Sequence, residues 1–452
     1  MKKLIYIPIE IKSREFLAKL ILALELACDR YTVIVGKSTE VEKMCILGPS
    51  GVYLGTSIMQ QHNTVFKRIK RSGSKVIAAD EEGLVYYNEE DFKKHKINEQ
   101  SLENLDYFIV WGKHHEDLVR AKCPNMIGKL RRIGNIRMEI LKPQYRFLYE
   151  KKVKEIQEKY GKFILINTNF GAYNHYEGEN KYLEIAKNLV GEDKKDATNR
   201  ADKIEHQRKV FESFVKLAKR LEQEFNDFNI IVRPHPSENV KRWEEAFKGY
   251  KVQVVREGNV LPWIISSECI VQQNCTTAIE ALCMDKNVFS YLPDKDDRFD
   301  AGLPNKVSPV FEKEDDLVVS IGNVIDNADK YNDLYKTYRR EKLCDYISGL
   351  DKKSNVFESY IDVFNEVTNG EMHFKRWWLL KTKYSFYNFV SLIFNKNKRE
   401  QLAYISQKYP HTDYEVWEEL VGLLNKMNGG KYEELNIIKL AEDTYSISGA
   451  NG

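Results

Sequence analysis

The sequence has few of the features that would place it in a specialised class of proteins. Its seven cysteines occur singly, with no Cys-x-x-Cys pair, which argues against a zinc cage and is typical of a reducing compartment. No apolar run approaches the roughly 18 residues of a membrane-spanning helix, and Pro8 and Glu10 interrupt the short start that could resemble a secretion signal. Lysine and arginine number 70 against 67 aspartate and glutamate, so nucleic acid is not an expected partner. We therefore expect a cytoplasmic globular protein.

Two series of apolar segments alternate with helical patterns in the first two thirds of the chain. Such alternation, with glycine at strand ends, is typical of parallel, doubly wound sheets. The strands are predicted at residues 4–9, 31–35, 51–55, 75–79, 106–111, 163–167, 229–232, 252–255, 270–272 and 288–291. This pattern predicts an α/β protein with two Rossmann-like domains that face each other across a cleft, the arrangement called GT-B, and a helical C-terminal extension. The expected boundaries are 1–147 for the N-terminal Rossmann-like domain, 148–312 for the C-terminal one, 313–370 for closing helices and 371–452 for a basic, aromatic, helical tail. The GT-B resemblance implies that the first domain binds the acceptor and the second the nucleotide sugar.

Three consecutive carboxylates, Asp80, Glu81 and Glu82, follow the predicted strand 75–79 and precede Gly83. Like charges this close raise one another's pKa, and partial burial raises it further. A carboxylate in that state at the end of a parallel strand is suited to act as a general base. The alternative is a solvated loop or a helix start, since acidic residues are favoured in the first helical turn.

A second group of candidate residues follows strands of the second series. Prolines on both sides of His235 fix the backbone around its imidazole, and a cationic pair at a strand end suits a phosphate or a departing nucleotide. Two threonine hydroxyls at the first turn of a later helix could hold a phosphate with the free backbone N–H groups, although plain helix capping is the alternative. The residues expected to bind the nucleotide are Arg233, His235, Pro236, Asn274, Thr276 and Thr277.

The remaining candidates are polar residues at other strand ends. Asn167 and Asn169 lie in an amide-rich loop and could bind the sugar or its carboxylate, or could only complete a turn. Glu82 and His114 are expected at the rim of the first sheet, on the substrate side. The polar stretch 191–203 is predicted to be a surface loop.

The order of three short motifs resembles bacterial GT-B sialyltransferases and polysialyltransferases: Glu81-Glu82-Gly83, His235-Pro236 and Thr276-Thr277. Residues 1 to about 365 also look like bacterial surface carbohydrate proteins related to capsule synthesis. The resemblance implies Glu81 as the general base, and His235, Thr276 and Thr277 as contacts of CMP. The sequence departs from the family in two ways. Asp80 lengthens the acidic motif and competes with Glu81 as the base. The hydroxyl motif is Cys275-Thr276-Thr277, where the family has Ser-Ser or Ser-Thr.

The resemblance implies a glycosyltransferase that moves a CMP-activated 2-keto-3-deoxy sugar acid to a bacterial surface glycan such as capsule or lipopolysaccharide. The sugar would be a nonulosonic acid (sialic, legionaminic or pseudaminic acid) or Kdo, and the acceptor a glycan or lipid-linked glycan. Retaining Kdo transferases place a reactive Asp after the first strand of the second domain, where Asn167-Thr168-Asn169 stands here, so inversion is favoured. Neither a metal nor a cofactor beyond the donor is expected, because the leaving group is a monophosphate.

Three alternatives remain: a CDP-glycerol-type phosphotransferase, a UDP-sugar epimerase of the same fold, and a non-catalytic assembly protein. The tail adds one expectation about the membrane. No acidic residue lies between Glu371 and Glu400, while that stretch holds seven lysines and arginines and eight aromatic residues. Aromatic residues beside basic ones suit the surface of anionic lipid, so residues 372–399 are predicted to attach the protein to the inner face of the bacterial inner membrane. The alternative is a helix packed on the body of the protein.

Overall fold

The computed structural model describes residues 3–84, 86, 89–178, 181, 183–184, 194–300, 302–327, 341–351, 353–368 and 414–449. The chain divides into two compact units. Unit 1 comprises Met1–Leu84, Glu89–Lys142 and Asp345–Gly452, and unit 2 comprises Val85–Asn88 and Pro143–Cys344. The C-terminal part of the chain therefore belongs to the same unit as its beginning.

Within the described residues, unit 1 is built on an eight-stranded sheet with the order β13-β14-β2-β1-β3-β4-β5-β6. The strands are β1 (Lys3–Ile9), β2 (Tyr31–Lys37), β3 (Val52–Gly55), β4 (Lys75–Ala79), β5 (Tyr107–Val110), β6 (Leu130–Arg132), β13 (Leu435–Ala441) and β14 (Thr444–Gly449). Strands β1 to β6 are parallel to their neighbours, whereas β14 is antiparallel to β2. The central strands are buried on both faces, which explains why they read as continuous apolar runs.

Helices connect the parallel strands of unit 1 and cover the sheet. They are α1 (Lys12–Asp29), α2 (Ser38–Leu47), α3 (Gln60–Arg71), α4 (Glu89–Lys96), α5 (Glu99–Glu103), α6 (Lys113–Lys122) and α7 (Ile136–Glu139), with α16 (Val356–Thr368) and α17 (Tyr414–Met427) in the C-terminal part. Helix α1 is buried almost all round from Ala18 to Ala27, because it packs on the sheet and is covered by α7 and α16.

The described part of unit 2 contains a six-stranded parallel sheet with the order β12-β11-β10-β7-β8-β9. Its strands are β7 (Phe163–Asn167), β8 (Asn229–Arg233), β9 (Gln253–Val254), β10 (Cys269–Gln272), β11 (Asn287–Tyr291) and β12 (Val310–Phe311). Its helices are α8 (Glu150–Tyr160), α9 (Lys194–Glu224), α10 (Val240–Ala246), α11 (Val260–Ser266), α12 (Thr277–Cys283), α13 (Asp297–Asp300), α14 (Leu303–Lys306) and α15 (Glu314–Asp326). Apolar residues of α9, among them Phe214, Leu217 and Leu221, form the core with the strands.

Two predictions made from the sequence need correction. The tail was expected to be helical, but its described part holds α17 and then the hairpin β13–β14, which extends the sheet of unit 1 at β2. This pairing joins residues more than 400 positions apart, so no local pattern indicated it. The stretch 191–203 was expected to be a loop, but α9 begins at Lys194. From there to Glu224 the chain has neither Gly nor Pro, so nothing in it interrupts a helix.

None of the helices in the described part of the chain combines the length and the apolarity that crossing a bilayer requires. The segment 372–399, predicted to lie on a membrane surface, falls outside the described residues, so its role stays a prediction.

Gly36 is needed for the hairpin to dock on β2. Its φ is +150°, and a Cβ there would lie 2.2 Å from the carbonyl oxygen of Asp443. We expect Gly36→Ala to lower the free energy of unfolding by about 1–3 kcal/mol and to speed amide exchange in residues 435–449. Denaturant unfolding and hydrogen exchange would measure both effects. The control is Gly422→Ala, on exposed helix with open space around it, which should be neutral or stabilising; equal effects of the two substitutions would contradict this account.

Candidate active site

In a parallel sheet the carboxyl ends of the strands meet at one edge, where the connecting loops can bring side chains together. Asp80 directly follows β4 at that edge of unit 1. The indole N–H of Trp111, after β5, and the side-chain amide of Asn135, after β6, both donate to the carbonyl oxygen of Asp80. Neighbouring strand ends therefore fix the backbone at the start of the acidic motif.

The carboxyl group of Asp80 is buried and only half satisfied. Its side chain is 2% exposed. Oδ1 accepts a hydrogen bond of 2.8 Å from the backbone N–H of Glu82, whereas Oδ2 has no hydrogen-bond partner among the described residues. Burial raises the pKa of Asp80 to about 6. Such a group can take up or release a proton near neutral pH.

Glu81 belongs to a buried cluster around an ammonium group. The Nζ of Lys19 lies 2.8 Å from Oε2 of Glu15 and 3.1 Å from Oε1 of Glu81, and it donates to the carbonyl oxygen of Pro8 at 2.8 Å. Burial disfavours the charge on Lys19, but the two carboxylates outweigh it and raise the pKa of Lys19. Burial raises the pKa of Glu81, and Lys19 offsets this only in part. Oε2 of Glu81 has no hydrogen-bond partner in the described structure.

Glu82, the third acid, has a different environment. Its side chain is 43% exposed, and its carboxylate lies 2.8 Å from Nη1 of Arg14 and 3.1 Å from Nζ of Lys96. Partial burial opposes ionisation, but Lys96 and Arg14 outweigh it and lower the pKa of Glu82 to about 2. Glu82 is therefore an ionised partner of two cations. Adjacent carboxyl groups whose environments push their pKa values apart are typical of sites that handle protons.

The glycine of the motif and the nearby histidines have structural explanations. A Cβ on Gly83 would lie 2.8 Å from Cδ1 of Trp111, so only glycine allows the indole this close. His115 is 1% exposed, and burial lowers its pKa to about 3, so it is neutral. His114, predicted at the rim, lies 3.5 Å from a carboxylate oxygen of Glu89, and its ring centre is 4.7 Å from that of Tyr346.

A buried carboxylate organises the corresponding edge of unit 2. Glu238 is fully buried and accepts hydrogen bonds from the Thr168 hydroxyl (2.6 Å), the backbone N–H groups of Phe170 and His235 (both 3.1 Å) and the Trp243 indole (2.9 Å). It thereby joins the loop after β7 to the loop after β8. Burial raises its pKa, although these donors counteract the effect.

His235 itself is exposed at this edge, together with Pro236. The backbone N–H of Ser237 donates to Nδ1 of the imidazole at 3.2 Å, and the Ser237 hydroxyl lies 2.8 Å from the same atom. Because Nδ1 acts as an acceptor there, the neutral ring carries its hydrogen on Nε2. An Nε2–H group at a strand end can donate to an oxyanion.

Arg233, predicted to bind the nucleotide, uses its guanidinium within the fold. It donates to the carbonyl oxygens of Glu257 (2.7 Å) and Gly258 (2.8 Å), and its guanidinium carbon is 5.2 Å from the ring centre of Trp263. Burial lowers its pKa to about 10. These contacts hold Arg233 against the loop before α11, and its role in binding the nucleotide stays a prediction.

The loops after β7 and β10 share a network of amides. Asn167 donates to the Thr277 hydroxyl at 3.0 Å, and Asn169 donates to the carbonyl oxygen of Asn274 at 2.9 Å. Asn274 has a φ of +51° and also bonds to Phe299 in α13 and Asn305 in α14. The hydroxyl of Thr276 makes no capping hydrogen bond, and this residue is exposed. The structure thus brings Asn167, Asn169 and Asn274 together with Thr277 at one edge.

Four residues of these sites were not predicted from the sequence: Glu15, Lys19, Tyr360 and Glu238. Lys19 and Glu15 lie one helical turn apart, but such pairs are common on exposed helices, so their burial could not be foreseen. Tyr360, on α16, is buried, and its burial and then the charge of Glu81 raise its pKa. The signal for Glu238 was an acid three residues after the proline-flanked His235. No group of three His, Cys, Asp or Glu side chains in the described ranges could hold a metal ion.

No family model and no curated protein matches this chain. Its fold is similar to that of UDP-GlcNAc 2-epimerase from Neisseria meningitidis bound to UDP-GlcNAc, with 14% identity, a TM-score of 0.50, and 81% of this chain and 100% of that one covered. A putative UDP-N-acetylglucosamine 2-epimerase from Listeria monocytogenes gives 11% identity and a TM-score of 0.50, with 82% and 97% covered. A variant of the wall teichoic acid polymerase TagF, soaked with CDPG, has 12% sequence identity and a TM-score of 0.48, with 81% of this chain and 88% of that one covered. The two similarities at 0.50 bear on the fold alone: two doubly wound parallel sheets of the GT-B type, as predicted from the sequence.

Lys19 can be tested as the residue that holds the carboxylates of unit 1 together. Lys19→Met would leave Glu15 and Glu81 buried without their cation, so we expect a loss of about 3–5 kcal/mol in the free energy of unfolding. Denaturant unfolding would measure it. The matched control is Lys113→Met, whose ion pair with Asp117 joins two side chains that are more than half exposed, and it should show no measurable change. A loss as small as that of the control would show that the buried cluster does not stabilise unit 1.

Proposed function

We propose that this chain is a nucleotide-sugar-dependent enzyme of bacterial surface-glycan synthesis. The observation that carries the proposal is the adjacent pair Asp80, which is buried, and Glu81, whose side chain is 12% exposed. Both carboxyl groups have raised pKa values, and each has one buried oxygen without a hydrogen-bond partner in the described structure. Leaving such groups unsatisfied costs stability, so their retention at the edge of a parallel sheet favours a chemical role. Unit 2 supports the proposal with His235, Thr276 and Thr277 at its own carboxyl edge, where a nucleotide phosphate would bind.

The reaction we favour is glycosyl transfer from a CMP-activated 2-keto-3-deoxy sugar acid. A carboxylate of unit 1, Glu81 or Asp80, takes the proton of the acceptor hydroxyl. The acceptor oxygen bonds to the anomeric carbon while the bond from that carbon to the phosphate oxygen breaks, and CMP leaves with the electron pair. Donors at the edge of unit 2, including Nε2–H of His235, offset the charge that grows on the phosphate. No metal ion enters this scheme, and attachment of residues 372–399 to the membrane would bring the enzyme to lipid-linked acceptors.

A UDP-sugar epimerase is the second candidate. It is favoured by the two fold similarities that span almost the whole of the compared chains, one of which is bound to UDP-GlcNAc. Such an enzyme would also need a carboxyl group that exchanges protons, so the geometry of Asp80 and Glu81 suits both reactions. The two candidates differ in the nucleotide that they bind and in their need for an acceptor.

The choice of nucleotide is the first prediction of this proposal. We expect CMP to raise the melting temperature of the protein more than CDP, UMP, UDP or GDP at equal concentration, because binding to the native state stabilises it. Thermal unfolding with the five nucleotides would measure this. A preference for UDP would favour the epimerase, and conversion of UDP-GlcNAc without an acceptor would establish it. No response to any of the five would contradict both candidates and favour a non-catalytic assembly protein.

The role of the carboxylates is the second prediction. Removal of the base should lower the rate about a hundred- to ten-thousandfold with little change in nucleotide affinity, so Glu81→Gln and Asp80→Asn are compared by kcat and by calorimetric Kd. If Asp80 is the base, kcat/KM should fall as the pH drops below about 6, because its carboxylate then becomes protonated. The control is Glu90→Gln, an exposed acid on α4, which should keep wild-type kinetics. Full activity in both variants would exclude an acid–base role for this motif.

A further inference from the structure

The first half of α9 carries polar residues beyond the hydrophobic core of unit 2. The helix follows the loop after β7 and returns along the sheet to the start of β8, so its N-terminal half lies at the carboxyl edge of the strands. One face of α9 is polar in this first half and apolar further along. Its apolar part enters the core and comprises Val210, Phe214, Leu217 and Leu221. The polar part of this face therefore lies toward the loops that hold the proposed nucleotide site.

Gln207 shows where this face meets the site. Its side-chain oxygen accepts from the backbone N–H groups of Ala172 (2.8 Å) and Tyr173 (3.2 Å), and its amide donates to the carbonyl oxygen of Asn169 at 3.2 Å. The neighbouring His206 turns to α13, with Nε2 3.3 Å from Oδ2 of Asp300. Helix α9 thus contacts the loop after β7 and the short helix α13.

Arg200 lies on the same face as Gln207, because seven residues make about two helical turns. Along the helix axis Arg200 lies about 10 Å closer to the N-terminus than Gln207, and therefore farther from the hydrophobic core. Its side chain is only 9% exposed, yet its Nη2 atom has no hydrogen-bond partner among the described residues. A guanidinium group is always charged, and burying it without an anion is costly. Such a group at the edge of a proposed nucleotide site is suited to bind an anionic ligand.

We propose that Arg200 binds an oxyanion of the nucleotide-linked donor, either its phosphate or the carboxylate of an acid sugar. This inference rests on the proposed function, since it takes the donor as the ligand. Both oxyanions accept the paired N–H groups of a guanidinium in the same planar geometry. Arg200 would provide positive charge at this edge of unit 2, beside the Nε2–H donor of His235, since the guanidinium of Arg233 is engaged with backbone carbonyls.

The test compares Arg200→Gln and Arg200→Lys with the unaltered protein in calorimetric binding of CMP, UDP and CMP-N-acetylneuraminic acid. The expected result is that Arg200→Gln weakens binding about ten- to a hundredfold, the usual effect of losing a charged hydrogen-bond donor. Weaker binding of CMP or UDP identifies the phosphate as the oxyanion, whereas weaker binding of CMP-N-acetylneuraminic acid alone identifies the carboxylate. The Lys variant keeps the charge and should lose less.

The matched control is Arg208→Gln. Arg208 lies on the same helix, but its guanidinium already pairs with Glu205 and Glu212, so its loss should leave all three affinities unchanged. Wild-type affinities in Arg200→Gln would overturn the proposal while leaving the proposed function in place. Failure of the unaltered protein to bind any of the three ligands would overturn both.

The stability of the ligand-free protein gives an independent check. Because Nη2 of Arg200 is buried with no hydrogen-bond partner among the described residues, replacing Arg200 by Gln should raise the melting temperature of the ligand-free protein by about 1–3 °C. A purely structural arginine would give the opposite result, a lower melting temperature together with unchanged ligand affinity.

Discussion

The buried ammonium group of Lys19 connects three parts of unit 1 that are distant in sequence. It bonds to the carbonyl oxygen of Pro8 at the end of β1, to Glu15 on its own helix and to Glu81 beyond β4. A buried carboxylate is tolerated when a cation lies beside it, so Lys19 allows Glu81 to stay in the interior. Without this contact the carboxylates of Glu15 and Glu81 would lie in the interior with their cation removed.

In unit 2 a buried carboxylate, and not a cation, holds together segments that are distant in sequence. Glu238 gathers donors from the loop after β7, the loop after β8 and the indole of Trp243. These contacts use its capacity almost fully, so Glu238 holds the position of His235 and has little freedom to bind a ligand. The two units therefore each use a buried charged group to shape the ends of parallel strands.

Three other charged side chains have buried polar atoms whose hydrogen-bonding capacity is not met within the described structure. Asp80, Glu81 and Arg200 each keep a buried polar atom without a hydrogen-bond partner in the described structure. Two are carboxylates of unit 1 with raised pKa values, and one is a cation of unit 2. An acid–base function for the first two and an anionic ligand for the third would account for all three, since a substrate could supply the missing contacts.

Much of the fold followed from local patterns. Strands β4 and β7 begin and end where the apolar runs predicted, at Lys75–Ala79 and Phe163–Asn167, because strands buried on both faces are apolar throughout. The motif residues Asp80, His235 and Thr277 could be placed at strand ends for the same reason. The hairpin Leu435–Gly449 could not be foreseen, since its partner β2 lies at the other end of the chain.

The sequence by itself determined the two parallel sheets, the order of their strands along the chain and the residue types at their carboxyl ends, because hydrophobic periodicity and turn residues act locally. Only the tertiary structure decided which charged groups are buried and with which partners. It separated Asp80, with a pKa of about 6, from Glu82, with a pKa of about 2, two residues along the same loop. It also engaged Arg233 with backbone carbonyls and left Nη2 of Arg200 without a partner in the described structure, because solvation and Coulomb interactions depend on neighbours that only folding brings together.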